Sequence, residues 1–117
     1  MIQLTPQMRI FVANEPINMK NGIDGISAIC RLKLGSDPMS GALFVFTNRT
    51  RKMIRILVYD GQGFWLMTKR LSVGRFPYWL EGSLMTCLTA EQLYVLLRGG
   101  NPRSVEVLGE WRKVSWQ

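Results

Sequence analysis

Three short apolar runs in the middle of the chain have the composition of β-strands. They span residues 42–46, 53–59 and 64–71 and are rich in Val, Ile, Phe, Tyr and Trp, whose branched and aromatic side chains pack well on a pleated sheet. A polar segment, 47–52, separates the first two runs. The tetrapeptide DGQG at 60–63 separates the second from the third, and its glycines allow the positive φ of a tight reversal. The pattern predicts a three-stranded antiparallel meander.

Helical patterns lie on both sides of this meander. Apolar residues recur at helical spacing over 22–34, and Asn21 is a candidate N-cap for that helix. A second helix is expected over 89–98, because Thr89 and Gln92 have the spacing of a capping box, in which each side chain bonds the backbone amide of the other residue. Each predicted helix therefore has a start signal of its own.

The remaining apolar segments complete one domain. Short strand patterns occur at 8–13 and 84–88, and a chain of 117 residues has room for a single core. We therefore expect an α+β fold: one mostly antiparallel sheet built on the meander at 42–71, with the two helices packed against it. The core should span about residues 8–100. The tail, 101–117, is either a final strand or a partner-binding arm.

The positive charge of the chain is its strongest global signal. The formal net charge is +7 and the isoelectric point is near 10.0. A basic surface attracts polyanions, with nucleic acid first, an anionic membrane second and an acidic protein third. Some small basic domains have no specific anionic partner, so the distribution of the charges decides between these alternatives.

Most of that charge is concentrated in the predicted meander. Between Phe44 and Arg75 there are seven cations and one acid, Asp60. In a meander, the segment 47–52 and the end of the third strand meet at the same edge of the sheet, so the cations can form one patch that pairs with phosphates. A solvated hairpin tip explains the turn cations equally well. The candidate nucleic-acid contacts are Arg49, Arg51, Lys52, Arg55, Lys69, Arg70 and Arg75.

Aromatic residues supply a second set of candidates. Exposed aromatic rings stack on bases or anchor a protein partner, although more often they belong to a hydrophobic core. The candidate partner-binding residues are Phe76, Tyr78, Trp79, Trp111 and Trp116.

The sequence offers little catalytic chemistry. It has no histidine, which removes the commonest general base and the usual imidazole metal sites, and its glycine clusters match no nucleotide-binding loop. Within the basic region only Asp37 and Asp60 remain as candidates for a metal-dependent nuclease, which ordinarily needs three or four converging carboxylates. We therefore predict no catalytic residues, no metal, no cofactor and no enzymatic activity.

The two cysteines and the hydropathy bear on location. Cys30 and Cys87 are far apart, have apolar neighbours and lack metal-ligand spacing, so we expect two buried free thiols in a reducing cytoplasm. No segment has the apolar length of a membrane span, and no secretory signal is recognisable at 1–14. We expect a cytoplasmic protein without a membrane partner.

Four segments together resemble a known family. DPMSGALFVFTNR at 37–49, ILVYDGQGFWLMTKRLSVGRF at 56–76, LTAEQLYVLLRG at 88–99 and the earlier NMKNGIDGISAI at 18–29 are similar to the TnpB-type, or Orf2-like, accessory protein of bacterial insertion-sequence family sixty-six. The resemblance implies a small bacterial protein, encoded beside a separate DDE-type transposase, that is needed for efficient transposition. It brings no catalytic residues.

These observations lead to one principal hypothesis and two alternatives. The first is a non-catalytic accessory protein that contacts transposon-end DNA, the transposase or both through the basic meander. The second is a protein–protein adaptor that uses its aromatic residues and makes no DNA contact. The third and weakest is a metal-dependent nuclease that uses Asp37 and Asp60. The oligomeric state is left open by the sequence.

Overall fold

Strands and helices follow one another along residues 8–104, the part of the chain that the computed structural model describes. In chain order the elements are β1 (Ile10–Ala13), α1 (Ile23–Leu32), β2 (Leu43–Thr47), β3 (Met53–Tyr59), β4 (Phe64–Arg70), β5 (Met85–Leu88) and α2 (Ala90–Leu97). A helical turn follows at 102–104. Most of the predicted tail, including Trp111 and Trp116, lies outside the described residues.

The five strands form one mixed, open sheet in the order β4-β3-β2-β1-β5. β2, β3 and β4 make the predicted antiparallel meander, with Phe44 opposite Leu57 and Ile56 opposite Met67. β1 pairs in parallel with β2 and antiparallel with β5. The parallel pair requires a crossover, and α1 supplies it. The predicted α+β fold with a mostly antiparallel sheet is therefore confirmed.

Both faces of the central part of the sheet are covered. All five residues of β2 are buried, which is the burial expected of a central strand with a packed layer on each side. On one face Phe44, Phe46 and Leu57 pack with Ile26 and Cys30 of α1. Burial raises the pKa of the Cys30 thiol to about 11, so that thiol stays protonated at neutral pH.

The opposite face carries the larger cluster. Val45 and Ile56 of the sheet pack there with Leu93 and Leu96 of α2. The irregular segment between β4 and β5 folds over the same face and buries Phe76 completely. Its Trp79 donates an Nε1–H hydrogen bond of 3.2 Å to the carbonyl of Ala13.

Two local predictions are wrong. The N-cap of α1 is Gly22, which makes no side-chain cap, while the Asn21 side chain donates to the carbonyl of Asn18 instead. Cys87 is an exposed residue of β5, which is a terminal strand of the sheet, whereas Cys30 is buried as predicted. Both thiols are free.

The capping box of α2 is present as predicted and gives a test of the fold. Thr89 Oγ1 accepts the Gln92 amide at 3.1 Å, and Gln92 Oε1 accepts the Thr89 amide at 2.8 Å. We expect Thr89→Ala to lower the free energy of unfolding by about 1 kcal/mol, measured by urea denaturation, because the backbone amide of Gln92 in the first turn of α2 loses its side-chain acceptor. Ser72→Ala, in an exposed loop, is the control and should change it little. Equal effects of the two variants would contradict a capping role.

Candidate nucleic-acid interface

The sheet brings the cationic turn and the end of β4 together. Met53, the first residue of β3, lies opposite Arg70, the last residue of β4. Two backbone hydrogen bonds continue the pairing beyond the strands: the Leu71 amide donates to the Lys52 carbonyl at 2.9 Å, and the Phe76 amide donates to the Arg51 carbonyl at 2.8 Å. Five of the predicted cations therefore share one end of the sheet. We call these residues the cationic end: Arg49, Arg51, Lys52, Arg70 and Arg75.

The turn between β2 and β3 has a defined shape. Asn48 Oδ1 accepts the backbone amides of Lys52 at 3.0 Å and Met53 at 3.2 Å, and the Asn48 carbonyl accepts the amide of Arg51 at 3.0 Å. Arg51 has a φ of 58°, in the left-handed region that residues with a side chain seldom adopt. With its backbone bonded in this way, the turn presents Arg49 and Lys52 as exposed side chains.

Arg55 lies beside this turn but serves the fold. Its side chain is half-buried on the α1 face, where Nε donates to Thr68 Oγ1 at 2.9 Å. Its Nη1 donates to the carbonyls of Met19 at 2.8 Å and Asn21 at 3.1 Å. The hydrogen bonds of this guanidinium therefore join the segment between β1 and α1 to strands β3 and β4.

Lys69 is also engaged within the domain. Its side chain lies on the face that α2 covers, and Nζ donates to the carbonyl of Leu97 at the end of α2. The same ammonium lies 6.0 Å from the ring centroid of Phe76. A cation at a helix C-terminus is stabilised by the helix dipole, so Lys69 joins β4 to α2.

Two grooves flank the cationic end. One, of about 430 Å³, lies between residues 16–19 and the turn residues Asn48, Arg49 and Thr50. The other, of about 190 Å³, is lined by residues of 77–81, by Arg51 and by Arg103. Arg103 was not among the predicted contacts, because it follows the helix-ending glycines and nothing in the sequence indicates that the chain returns to the turn at 48–52.

The predicted aromatic contacts separate into core and surface residues. Phe76 is fully buried and Trp79 is 7% exposed, so both rings belong to the core and neither is presented to a partner. Tyr78 lies between them in sequence and is 48% exposed, on the wall of the smaller groove. Of the predicted aromatic contacts that lie within residues 8–104, Tyr78 is thus the one whose side chain is exposed.

The two aspartates considered for catalysis both organise turns. Asp60 Oδ1 accepts the amides of Gln62 and Gly63, each at 2.9 Å, and Oδ2 accepts Nε1–H of Trp65 at 2.8 Å. Asp37 Oδ1 accepts the amide of Met39 at 2.9 Å. Asp60 follows β3, so it lies at the opposite end of the sheet from the cationic end. Among residues 8–104, no three His, Cys, Asp or Glu side chains are grouped to hold a metal ion.

Comparison with known proteins identifies the family. The family model described as IS66 Orf2 like protein matches residues 8–107. The chain belongs to the IS66 Orf2-like family. Two similar proteins of Sinorhizobium fredii (strain NBRC 101917 / NGR234) carry the names uncharacterized protein y4jC and uncharacterized protein y4hO. The first is 33% identical over 94 residues, which cover 79% of each chain, and the second is 32% identical over 90 residues, which cover 76% of this chain and 78% of its own.

Membership of the IS66 Orf2-like family implies an accessory role in transposition. The resemblance noted in the sequence is therefore confirmed. No solved structure gives a significant match to the chain. Within residues 8–104, no helix combines the length and the apolar character that crossing a membrane requires.

The structural role of Arg55 can be separated from any binding role. Removing its guanidinium leaves the Met19 and Asn21 carbonyls without this donor, so we expect Arg55→Gln to lower the free energy of unfolding by about 2 kcal/mol. Arg49→Gln, at an exposed position of the turn, is the matched control and should change it by less than about 0.5 kcal/mol. Urea denaturation of both variants measures the difference. Comparable losses would show that the hydrogen bonds of Arg55 do not stabilise the fold.

Asp60 gives a pH-dependent test of its turn. The hydrogen bonds from Gly63, Gln62 and Trp65 hold the pKa of Asp60 below its ordinary value. Because the folded-state pKa is depressed, the charged form stabilises the fold above the unfolded-state pKa of about 4, and this contribution is lost as the pH falls through the folded-state value. We expect Asp60→Asn to be less stable than the native protein at pH 7 and the two to converge on acidification. A difference in unfolding free energy that stays constant with pH would contradict this.

Proposed function

We propose that this protein is a non-catalytic accessory factor of DNA transposition. In this proposal it binds transposon-end DNA through the cationic end while a separate DDE-type transposase performs the reaction. The observation that carries the proposal is the convergence of five cations from two segments that β3 and β4 hold side by side. The proposal places the protein in the bacterial cytoplasm, together with the DNA.

The spacing of the cations suits a phosphate backbone. Neighbouring strands of a sheet lie about 4.8 Å apart, so the turn before β3 and the segment after β4 present their charges within one or two strand widths. Duplex DNA carries one negative charge per roughly 1.7 Å of its axis, so several phosphates come within reach of such a surface. Arginine adds bidentate geometry to the charge, which favours phosphate oxygens.

The surroundings of the cationic end also favour an anion. α1 runs back from β1 to β2, so its N-terminus, the positive end of its dipole, lies at this end of the sheet. The one acid in the basic region, Asp60, lies at the other end. The smaller groove is lined by Arg51, Arg103 and one acid, Glu81, so its lining still has a net positive formal charge.

Contacts of this kind position a protein on DNA without reading its sequence. Lysine and arginine side chains that reach phosphates carry affinity and salt dependence, whereas base contacts carry specificity. Tyr78, exposed beside Arg51, is the candidate for stacking on an unpaired base. The proposed complex is therefore chiefly electrostatic, and selection of the transposon end depends on further contacts or on the transposase.

The second part of the proposal is that this protein catalyses no reaction itself. Asp37 and Asp60 accept hydrogen bonds from turn amides, and the sequence has no histidine to act as a general base. The adaptor alternative depends on Tyr78 and on residues outside the described range, since Phe76 and Trp79 are buried. DNA binding by the cationic end is for this reason the function we favour.

A matched pair of triple variants tests DNA binding by the cationic end. Arg49, Lys52 and Arg70 are exposed at that end, and replacing all three with Ala should weaken binding and reduce the slope of log K against log salt by roughly 2 to 3, because fewer counterions are released. Arg9, Arg31 and Lys33 are exposed at the other end of the sheet, so their triple Ala variant removes the same net charge elsewhere. The measurement is a titration of labelled transposon-end DNA, and of scrambled DNA of equal length, at several salt concentrations.

The outcomes separate the hypotheses. A loss confined to the first variant supports the cationic end as the DNA contact. Equal losses in both variants would mean that net charge alone attracts DNA, which would overturn this site. If the native protein does not bind either DNA near physiological salt, the adaptor hypothesis replaces the proposal, and co-purification with the transposase is the measurement for it.

A further inference from the structure

β4 has an outer side that no strand of residues 8–104 occupies. It is the terminal strand of the sheet and pairs with β3 through seven consecutive residues, without a bulge. Natural edge strands are commonly protected by proline, by a bulge, by a short length or by charged side chains. The charged residues of β4, Lys69 and Arg70, lie at its C-terminal end, and its first five residues, FWLMT, carry none of these devices. The strand is thus long enough and regular enough to pair with another strand.

The hydrogen bonds to β3 determine which groups face outward. At one end of the hairpin the Asp60 amide donates to the Gly63 carbonyl, and at the other the Leu71 amide donates to the Lys52 carbonyl. In an antiparallel pair the bonded residues alternate, so 63, 65, 67, 69 and 71 direct their amides and carbonyls to β3. The amides and carbonyls of Phe64, Leu66, Thr68 and Arg70 therefore point away from the sheet.

A second β4 satisfies all of these groups in one register. Suppose that two copies run antiparallel about an axis at Met67. The backbone of Phe64 then forms hydrogen bonds with the backbone of Arg70 of the other copy, and that of Leu66 with that of Thr68, so each outward amide and carbonyl has a partner. A shift of the axis to Leu66 or Thr68 leaves some of these groups unpaired. The length of β4 and the alternation of its outward-facing backbone groups thus favour the register centred on Met67.

The side chains are complementary in the same register. Trp65 faces Lys69 of the second copy at a non-hydrogen-bonded position, where side chains approach most closely, and Phe64 faces Arg70. Arg70, which is exposed, is thus set opposite the Phe64 ring, and the aliphatic stem of Lys69, whose ammonium bonds the Leu97 carbonyl of its own chain, is set opposite the Trp65 ring. Both arrangements are attractive. Trp65 is 45% exposed and so is available for this contact. In a parallel, in-register pairing, Lys69 and Arg70 would instead face their own copies and repel.

We propose that two copies of this chain associate through β4, antiparallel about a two-fold axis at Met67, to form one continuous sheet. The contact is isologous and closes on itself, so it produces a dimer rather than a fibre. The axis is three residues from Arg70, which places the Arg70 residues of the two copies about 20 Å apart along the strands. The dimer would carry two cationic ends, and it forms whether or not those ends bind DNA.

Disulfide cross-linking of the full-length chain tests this register. In a Cys87→Ser background, which removes the exposed native thiol, Met67→Cys should form a covalent dimer on mild oxidation, because the two Met67 Cα atoms would lie about 4.5 Å apart. Trp65→Cys is the matched control. Its two copies would be about 13 Å apart, beyond disulfide reach, so it should stay monomeric on a non-reducing gel. Sedimentation equilibrium of the native chain should show a dimer in equilibrium with monomer.

Two further pairs of variants test the same contact without changing Met67. Phe64→Cys and Arg70→Cys should cross-link when mixed and not when oxidised separately. Trp65→Lys places a like charge opposite Lys69 and should weaken the dimer about tenfold, while Tyr94→Lys, which adds the same charge to the exposed side of α2, should leave it unchanged.

Three results would overturn the proposal. One is a monomeric native chain at all concentrations, as expected if residues 105–117 or another protein occupy the edge. Another is a dimer in which Trp65→Cys cross-links as readily as Met67→Cys. The third is equal weakening by Trp65→Lys and Tyr94→Lys, which would place the contact elsewhere.

Discussion

The burial of β2 on both of its faces is the constraint on which the rest of the fold depends. A strand whose five residues are all inaccessible needs a neighbour on each edge and a packed layer above and below. β1 and β3 are the two neighbouring strands of β2, and α1 forms the packed layer on one face. The other layer is α2 together with the irregular segment that carries Phe76 and Trp79. The aromatic composition of that segment is thus explained by packing.

The cations of this protein fall into two structural groups that the sequence does not distinguish. Arg55 and Lys69 donate hydrogen bonds to backbone carbonyls where a loop and a helix end meet the sheet. Arg49, Lys52, Arg70 and Arg75 donate no side-chain hydrogen bond of this kind within residues 8–104, and their side chains are exposed. Some cations therefore bond internal carbonyls, and others are exposed together at one end of the sheet. Because of this division, the positive surface potential is concentrated at that end instead of being spread over the whole surface.

Features with local causes were predicted well from the sequence. The strands of the meander follow from side-chain composition and glycine turns, and the capping box of α2 needs only Thr89 and Gln92. The proximity of the turn at 48–52 to the end of β4 also followed, since antiparallel connectivity requires it. The parallel pairing of β1 with β2 has no local signal, because it depends on which strand α1 returns to.

The roles of individual site residues were harder to predict for the same reason. Arg55 is held by Met19 and Asn21, and Lys69 by Leu97, and in each case the partner is distant in sequence. Cys87 has apolar neighbours in sequence, yet its side chain is exposed, since exposure depends on what packs above a strand. Arg103 reaches the groove beside Arg51 only through the path of the chain after α2.

The position of β1 has a consequence for how the chain acquires its structure. β2, β3 and β4 pair with their sequence neighbours, so the meander closes short loops and can form early. β1 is made first but pairs with β2 across α1, and Ile10 meets Leu88 only after nearly the whole described chain exists. During synthesis β1 can pair with β2 as soon as α1 and β2 exist, but its other edge has no partner until β5 is made. Until then that open edge is a site where chaperones or misfolded neighbours can bind.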